Sequence, residues 1–185
     1  MMNTFVVHVE NKPGVLTRVA SLFRRRAFNI DSLTVGRTEK PEVSRMTITV
    51  DAGPDEARRI EASLYKLVNV LLVENITEEP AISRDLAMIK VAAQHEERSH
   101  ILQLVDVFRA RVVDVAPESL ILEITGGEDK IDGLLEVLRP FGVLEMVRTG
   151  IVAMRRGTRT TIPGAPVEVM DEVPNEADED ESMSV

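Results

Sequence analysis

The stretch HVENKPGVLTRVA, residues 8–20, begins as a β-strand and ends as a helix, with Asn11-Lys12-Pro13-Gly14 wedged between. Upstream, apolar Phe5, Val7 and Val9 alternate with Val6 and His8, a strand pattern with one strongly buried face. Downstream, Val15, Leu16, Val19, Leu22 and Phe23 recur at helical spacing, with Arg18, Ser21, Arg24 and Arg25 on the other side. A strand feeding an amphipathic helix through a Pro-Gly turn implies a helix packed on a sheet.

Outward from this unit, Phe28 to Val35 reads as a second strand, and Met46, Ile48 and Val50 alternate in a third. Asp51-Ala52-Gly53-Pro54 breaks the pattern before a helical stripe of Ala57, Ile60, Leu64, Leu67 and Val68, and Val70 to Val73 gives a fourth strand. The order is βαββαβ, the plan of a ferredoxin-like domain. It then repeats: strand Leu86 to Ala93, stripe Ile101-Leu104-Val105-Phe108, strand Val112 to Val115, strand Leu120 to Ile124, stripe Ile131-Leu134-Leu135-Leu138, and one final strand from Val143 through Met154. The expected fold class is therefore α+β, with two tandem ferredoxin-like domains, 1–78 and 84–157, and a linker near Glu78 to Ser83.

The composition narrows the function. No run approaches the ~20 apolar residues that span a bilayer, and no basic start with a continuous apolar block marks a secretory signal. With no cysteine there is no disulfide framework and no thiolate chemistry, so a cytoplasmic protein is expected. A net charge of -9 argues against broad nucleic-acid binding. Val167 to Glu181 carries eight acidic residues and no basic one, so 158–185 reads as an acidic disordered tail, with a docking segment as the alternative.

Catalytic patterns are missing. His95 and His100 are five residues apart, the wrong spacing for a shared metal on one helix face, and His8 sits mid-strand, where a satisfied imidazole is the ordinary reading. Neither a phosphate loop nor a nucleophile–base pair stands at a recognisable spacing. Gly126-Gly127 reads as a strand-to-helix turn. Arg24-Arg25-Arg26 at a helix end complements the negative end of the helix dipole, with a protein-docking patch as its competitor.

The wedge is the one candidate site. Lys12 is extended because it precedes proline, Pro13 suits a first helical turn, and Gly14 admits close approach to the backbone. The helix would then present free N–H groups from Gly14, Val15 and Leu16, whose natural complement is a carboxylate. Asn11 offers an amide donor and acceptor, and Asn29 begins the second strand at the far end of the unit. Together they could read a free amino acid. Asn-x-Pro-Gly is equally ordinary turn-and-cap chemistry, and spacing alone favours the turn.

The segments ENKPGVLTRVASLFRRRAFNIDSLTV (10–35), SRMTITV (44–50) and LVNVLLV (67–73) resemble the ACT domain of the regulatory (small) subunit of acetohydroxyacid synthase, also called acetolactate synthase. RDLAMIKV (84–91), the block 108–142 and VRTGIVAMRRG (147–157) resemble that family's C-terminal domain. The resemblance implies a subunit with no active site or cofactor of its own, bound to a catalytic subunit that carries thiamine diphosphate, FAD and Mg²⁺. It implies activation of that partner in branched-chain amino acid biosynthesis, and feedback inhibition by a branched-chain amino acid, usually valine. It also implies ACT domains paired as a homodimer, with the effector at their interface against Asn11, Lys12, Pro13, Gly14, Val15, Leu16, Asn29 and Ile30. Thr17 stands where Ser is common, and Arg59 where Gln is expected in some members. The alternative reading is a free-standing amino-acid sensor controlling a different protein.

Overall fold

The structure is a computed structural model that describes residues 1–157. The segment 158–185, read above as an acidic tail, lies outside the described residues. The first unit consists of β1 (Met2–Glu10), α1 (Val15–Arg25), β2 (Ile30–Arg37), β3 (Val43–Asp51), α2 (Pro54–Leu64) and β4 (Val70–Asn75). The second consists of β5 (Ala81–Ala92), α3 (Arg98–Val107), β6 (Arg111–Val115), β7 (Ser119–Gly126), α4 (Glu128–Leu138) and β8 (Val143–Arg148), followed by a short β9 (Val152–Arg155).

Both units have the same antiparallel order, β2-β3-β1-β4 and β6-β7-β5-β8, which is the ferredoxin-like arrangement twice over. Phe5, Val7 and Val9 of β1 meet Val15, Val19, Leu22 and Phe23 of α1 and Ile60 and Leu64 of α2 in one core. Burying each such Leu, Ile or Phe contributes about 1.5–3 kcal/mol. The second core repeats the scheme with Ile89, Leu122 and Ile124 against Ile101, Ile131 and Leu134. Helix α1 is followed by its C-cap Arg26, after which Ala27 takes a positive φ of 56° and Phe28 folds back edge-on to Phe23, ring centroids 6.3 Å apart. Helix α2 starts on Pro54, and the Glu56 carboxylate accepts the Gly53 N–H at 3.1 Å.

Three features depart from the sequence reading. Strand β1 is buried on both faces, since Val6 and His8 are only 1% and 3% exposed. The uninterrupted FVVHV run is the mark of such a strand. Next, the strand expected from Val143 through Met154 breaks in two at Thr149-Gly150-Ile151, because Gly150 turns left-handed (φ 87°) and its N–H bonds Asp85 Oδ1 at 3.1 Å. Finally, the segment expected as a linker, Glu78 to Ser83, already contains the start of β5, whose residues Ala81 to Arg84 pair with β9.

These three departures have one cause. Strand β9 lies across the face of the first sheet that the helices leave bare, where Ala153 packs with Val6 and Ile76. Arg45 of β3 donates to Ala153 O, and Arg155 pairs with Glu74 at 2.8 Å and Glu79 at 3.2 Å. Burial depresses the Arg45 guanidinium below its ordinary value and raises the Glu74 carboxyl, the latter opposed by Arg155 and Arg45.

His8 is enclosed by the same cover. Among the described residues its Nδ1 has no hydrogen-bond partner, in contrast to the satisfied imidazole expected from sequence. Burial, and then the positive charge of Arg45 opposite it on β3, push its pKa below the ordinary 6.5, against a smaller opposing effect of Glu39. Because the unfolded chain then binds more protons, stability falls as pH drops through the unfolded value toward the folded one. The loss is at most about 1.4 kcal/mol per pH unit for one proton. His8→Gln should flatten the dependence of the urea midpoint on pH between 7 and 5; an unchanged slope would remove His8 as the cause.

Candidate functional site

Strand β1 delivers the chain to the wedge at the rim of the first sheet. The Asn11 N–H donates to Glu42 O at 2.7 Å, and its side-chain amide donates to Pro41 O at 2.9 Å, so the residue is fastened to the β2–β3 loop. Lys12 Nζ lies 3.1 Å from Glu10 Oε1. Glu10 also accepts from the Asn69 amide, whose oxygen in turn accepts from Arg18 on α1. The Asn69 hydrogen bond, and then Lys12, hold the Glu10 carboxyl below its ordinary value. Sequence reasoning missed Glu10, Asn69 and Arg18 as supports of the wedge, because Asn69 lies 59 residues beyond Glu10 and no local pattern links them.

Pro13 stands in the turn before α1, not in its first helical turn as expected. Gly14 is the N-cap, with φ 82° and ψ -6°, and no side chain among the described residues caps the helix. The Val15 N–H makes only a long 3.4 Å contact with Lys12 O, so one of the three donors expected to be free is weakly engaged. Among the described residues, a Cβ built on Gly14 would meet nothing within 4 Å, so none of them closes over the helix start. Val15 is buried at 4% exposure whereas Leu16, at 44%, projects outward beside the turn. An uncapped helix start with the positive end of its dipole facing outward suits a carboxylate.

Asn29 and Ile30 are not part of the same cluster within one chain. They lie beyond the C-terminal end of α1, and its 11 residues separate them from the wedge by about 16 Å. The Arg24-Arg25-Arg26 cluster is at that same end, exposed in the last turn and cap, where it faces the negative end of the dipole. Thr17 and Arg59, the two departures from the family pattern, are exposed on α1 and α2. Among the described residues no group of three or more His, Asp or Glu side chains is placed to hold a metal ion, and no helix is long and apolar enough to cross a membrane.

The relatives decide the family. The family described as the small subunit of acetolactate synthase matches residues 84–157, and the small-subunit-like ACT domain matches residues 5–72. A probable acetolactate synthase small subunit of Archaeoglobus fulgidus is 48% identical over 159 residues, 86% of this chain and 99% of the relative. The chain belongs to the acetolactate synthase small-subunit family. An acetolactate synthase small subunit of Mycobacterium bovis is 49% identical over 157 residues, 85% of this chain and 94% of the relative. The crystal structure of the Thermotoga maritima acetolactate synthase small subunit superposes with a TM-score of 0.80 at 41% identity, covering 86% of this chain and 99% of that one. The small-subunit family carries the ACT fold in its first unit, so the chain is a regulatory subunit whose counterpart is a catalytic large subunit.

Proposed function

We propose that this small subunit activates its catalytic partner in the cytoplasm and makes it sensitive to a branched-chain amino acid, valine first, held at the wedge. The subunit contributes no active site, and thiamine diphosphate, FAD and Mg²⁺ belong to the partner. The observation that carries the reading is the uncapped start of α1 behind left-handed Gly14, open to its surroundings. A helix N-terminus contributes about 1–2 kcal/mol toward a carboxylate, whereas micromolar affinity needs about 8. The remainder must come from groups that bind the ammonium and enclose the branched side chain.

A second copy of the chain is the natural source of those groups. Strand β2 is an edge of the first sheet, and Arg37 at its end pairs with Ser44, which pairs in turn with Val9 beside the wedge. Antiparallel pairing about the centre of β2 would set Ile30 of one copy opposite Arg37 of the other. That pairing would carry Asn29 of one copy to the wedge end of its mate's sheet, the end that it does not reach within one chain.

The direct test is acetolactate formation by the catalytic subunit with and without this chain, and with added valine. The rate should rise on mixing and fall with valine; no rate change and no complex would end the proposal. The two-copy site has its own test. Gly14→Asp and Asn29→Ala chains, each insensitive alone, should regain partial valine inhibition when mixed, because each mixed dimer has one site free of both substitutions. A site lying within one chain predicts no recovery.

A further inference from the structure

Ser32 and Thr34 follow Asn29 and Ile30 on β2 and stand on the same face as Thr49 and Thr47 of β3. This is the face covered by the second unit. Both side chains grip one residue: the Ile151 N–H donates to Ser32 Oγ at 2.9 Å, and Thr34 Oγ1 donates to Ile151 O at 2.7 Å. The residues just before it are gripped from the other side. Gly150 N and Thr149 Oγ1 both donate to Asp85 Oδ1, at 3.1 and 2.9 Å, and Thr149 N donates to Leu86 O at 3.0 Å. Asp85 is only 6% exposed on β5, and Arg148 beside it pairs with Asp132 of α4.

The turn cannot slip between these grips. A Cβ on Gly150 would fall 2.6 Å from Ser32 Oγ and 3.3 Å from Thr34 Cγ2, so the backbone is already in contact with β2. The start of β2 is less firmly held, because the ladder to β3 shifts register between Ile30 and Ser32 and no strand among the described residues pairs with the other edge of β2. A cleft of about 400 Å³, lined by Asp31, Ser32, Asp85, Glu128, Arg148 and Gly150, separates the two units at this point. It leaves room for the start of β2 to shift relative to β5.

We propose that Ser32 and Thr34 are positioning residues that carry effector occupancy at Asn29 and Ile30 into the second unit through the turn Thr149–Ile151. The proposal rests on the effector reading given above. A ligand that moves the start of β2 must strain or shift the two bonds to Ile151, and the turn passes that shift to Asp85 and β5. Both hydroxyls are engaged by Ile151, so the two residues act on the response, and ligand contact is left to the wedge, Asn29 and Ile30. Allosteric couplings of 5–150-fold are typical, and a pair of hydrogen bonds is enough to alter them.

The test uses the full chain and its complex with the catalytic subunit. For the double variant Ser32→Ala/Thr34→Val, calorimetric valine affinity should stay within about threefold of the parent, while the greatest inhibition valine can produce should fall by more than half. Unchanged inhibition overturns the proposal, and so does a valine affinity weakened tenfold or more, which would place these residues in the binding site. Amide exchange needs no effector: Ser32→Ala should speed exchange at both Ile151 and Gly150 by about tenfold or more. Acceleration confined to Ile151, or none, overturns the transmission. If the parent chain binds no valine, leucine or isoleucine, the effector reading fails, while the exchange result still decides whether β2 and β5 are linked.

Discussion

Gly14→Asp is expected to abolish valine inhibition of the complex while leaving its activation by the small subunit in place. The substitution replaces a residue at φ 82° with one that adopts left-handed backbone at a cost of about 1–2 kcal/mol. Little of that cost is returned, since aspartate at an N-cap exceeds glycine by only about a few tenths of a kcal/mol. The space around the position is open, so nothing in the core has to move. The added carboxylate stands in the region where the ligand's carboxylate would sit, so it crowds and repels the ligand, and like charges set against each other cost several kcal/mol. At about 1.4 kcal/mol per tenfold, that penalty raises the valine needed for half-inhibition by about 100-fold or more. Gly14→Ala carries the backbone strain without the charge and should give an intermediate shift. A Gly14→Asp complex as valine-sensitive as the parent would remove the wedge from the effector site.

The sequence made the wedge visible because its information is local. Proline and glycine constrain their own backbone, and the strand and helix on either side announce themselves by period within a dozen residues. The same holds for both βαββαβ units, whose core positions Phe5, Val19, Ile60, Ile89 and Ile131 all lie on the stripes that periodicity marks. Beyond local reach the reading fails. Nothing in VRTGIVAMRRG states that Ile151 bonds Ser32 and Thr34, residues 119 and 117 positions earlier. Gly150 was one glycine among ten, and its role appears only when the fold brings β2 within van der Waals distance. Glu74 and Arg155 lie one residue past the strands expected at Val70 to Val73 and Val143 through Met154, and Arg45 just ahead of the alternation that begins at Met46, so no local period marks them as buried. Their burial depends on which face of the first sheet the second unit covers, which is a tertiary fact. Only the FVVHV run hinted that the bare face is not bare.

Arg155→Ala carries the second large expected effect, on stability. Arg155 and Glu74 are each only 16% exposed and lie 2.8 Å apart, with Arg45 nearby and Glu79 completing the set. Removing the guanidinium leaves Glu74 under cover with less compensation, and breaking a buried pair this way costs up to 3–5 kcal/mol. With residual exposure and Arg45 still present, about 2–3 kcal/mol is expected. Burial already raises the Glu74 carboxyl above its ordinary value, and the loss of Arg155, which opposes that rise, pushes it further. A carboxyl whose folded pKa exceeds its unfolded value destabilises the fold above the folded pKa. That penalty is relieved as pH falls through the folded value toward the unfolded one. The difference in urea stability between parent and Arg155→Ala should therefore shrink on going from pH 7 to pH 5. Adding Glu74→Gln removes the orphaned charge and should recover more than half of the loss at pH 7. A deficit independent of pH, unrelieved by Glu74→Gln, would mean that lost packing of the Arg155 stem, and not the uncompensated carboxylate, holds β9 to the first sheet.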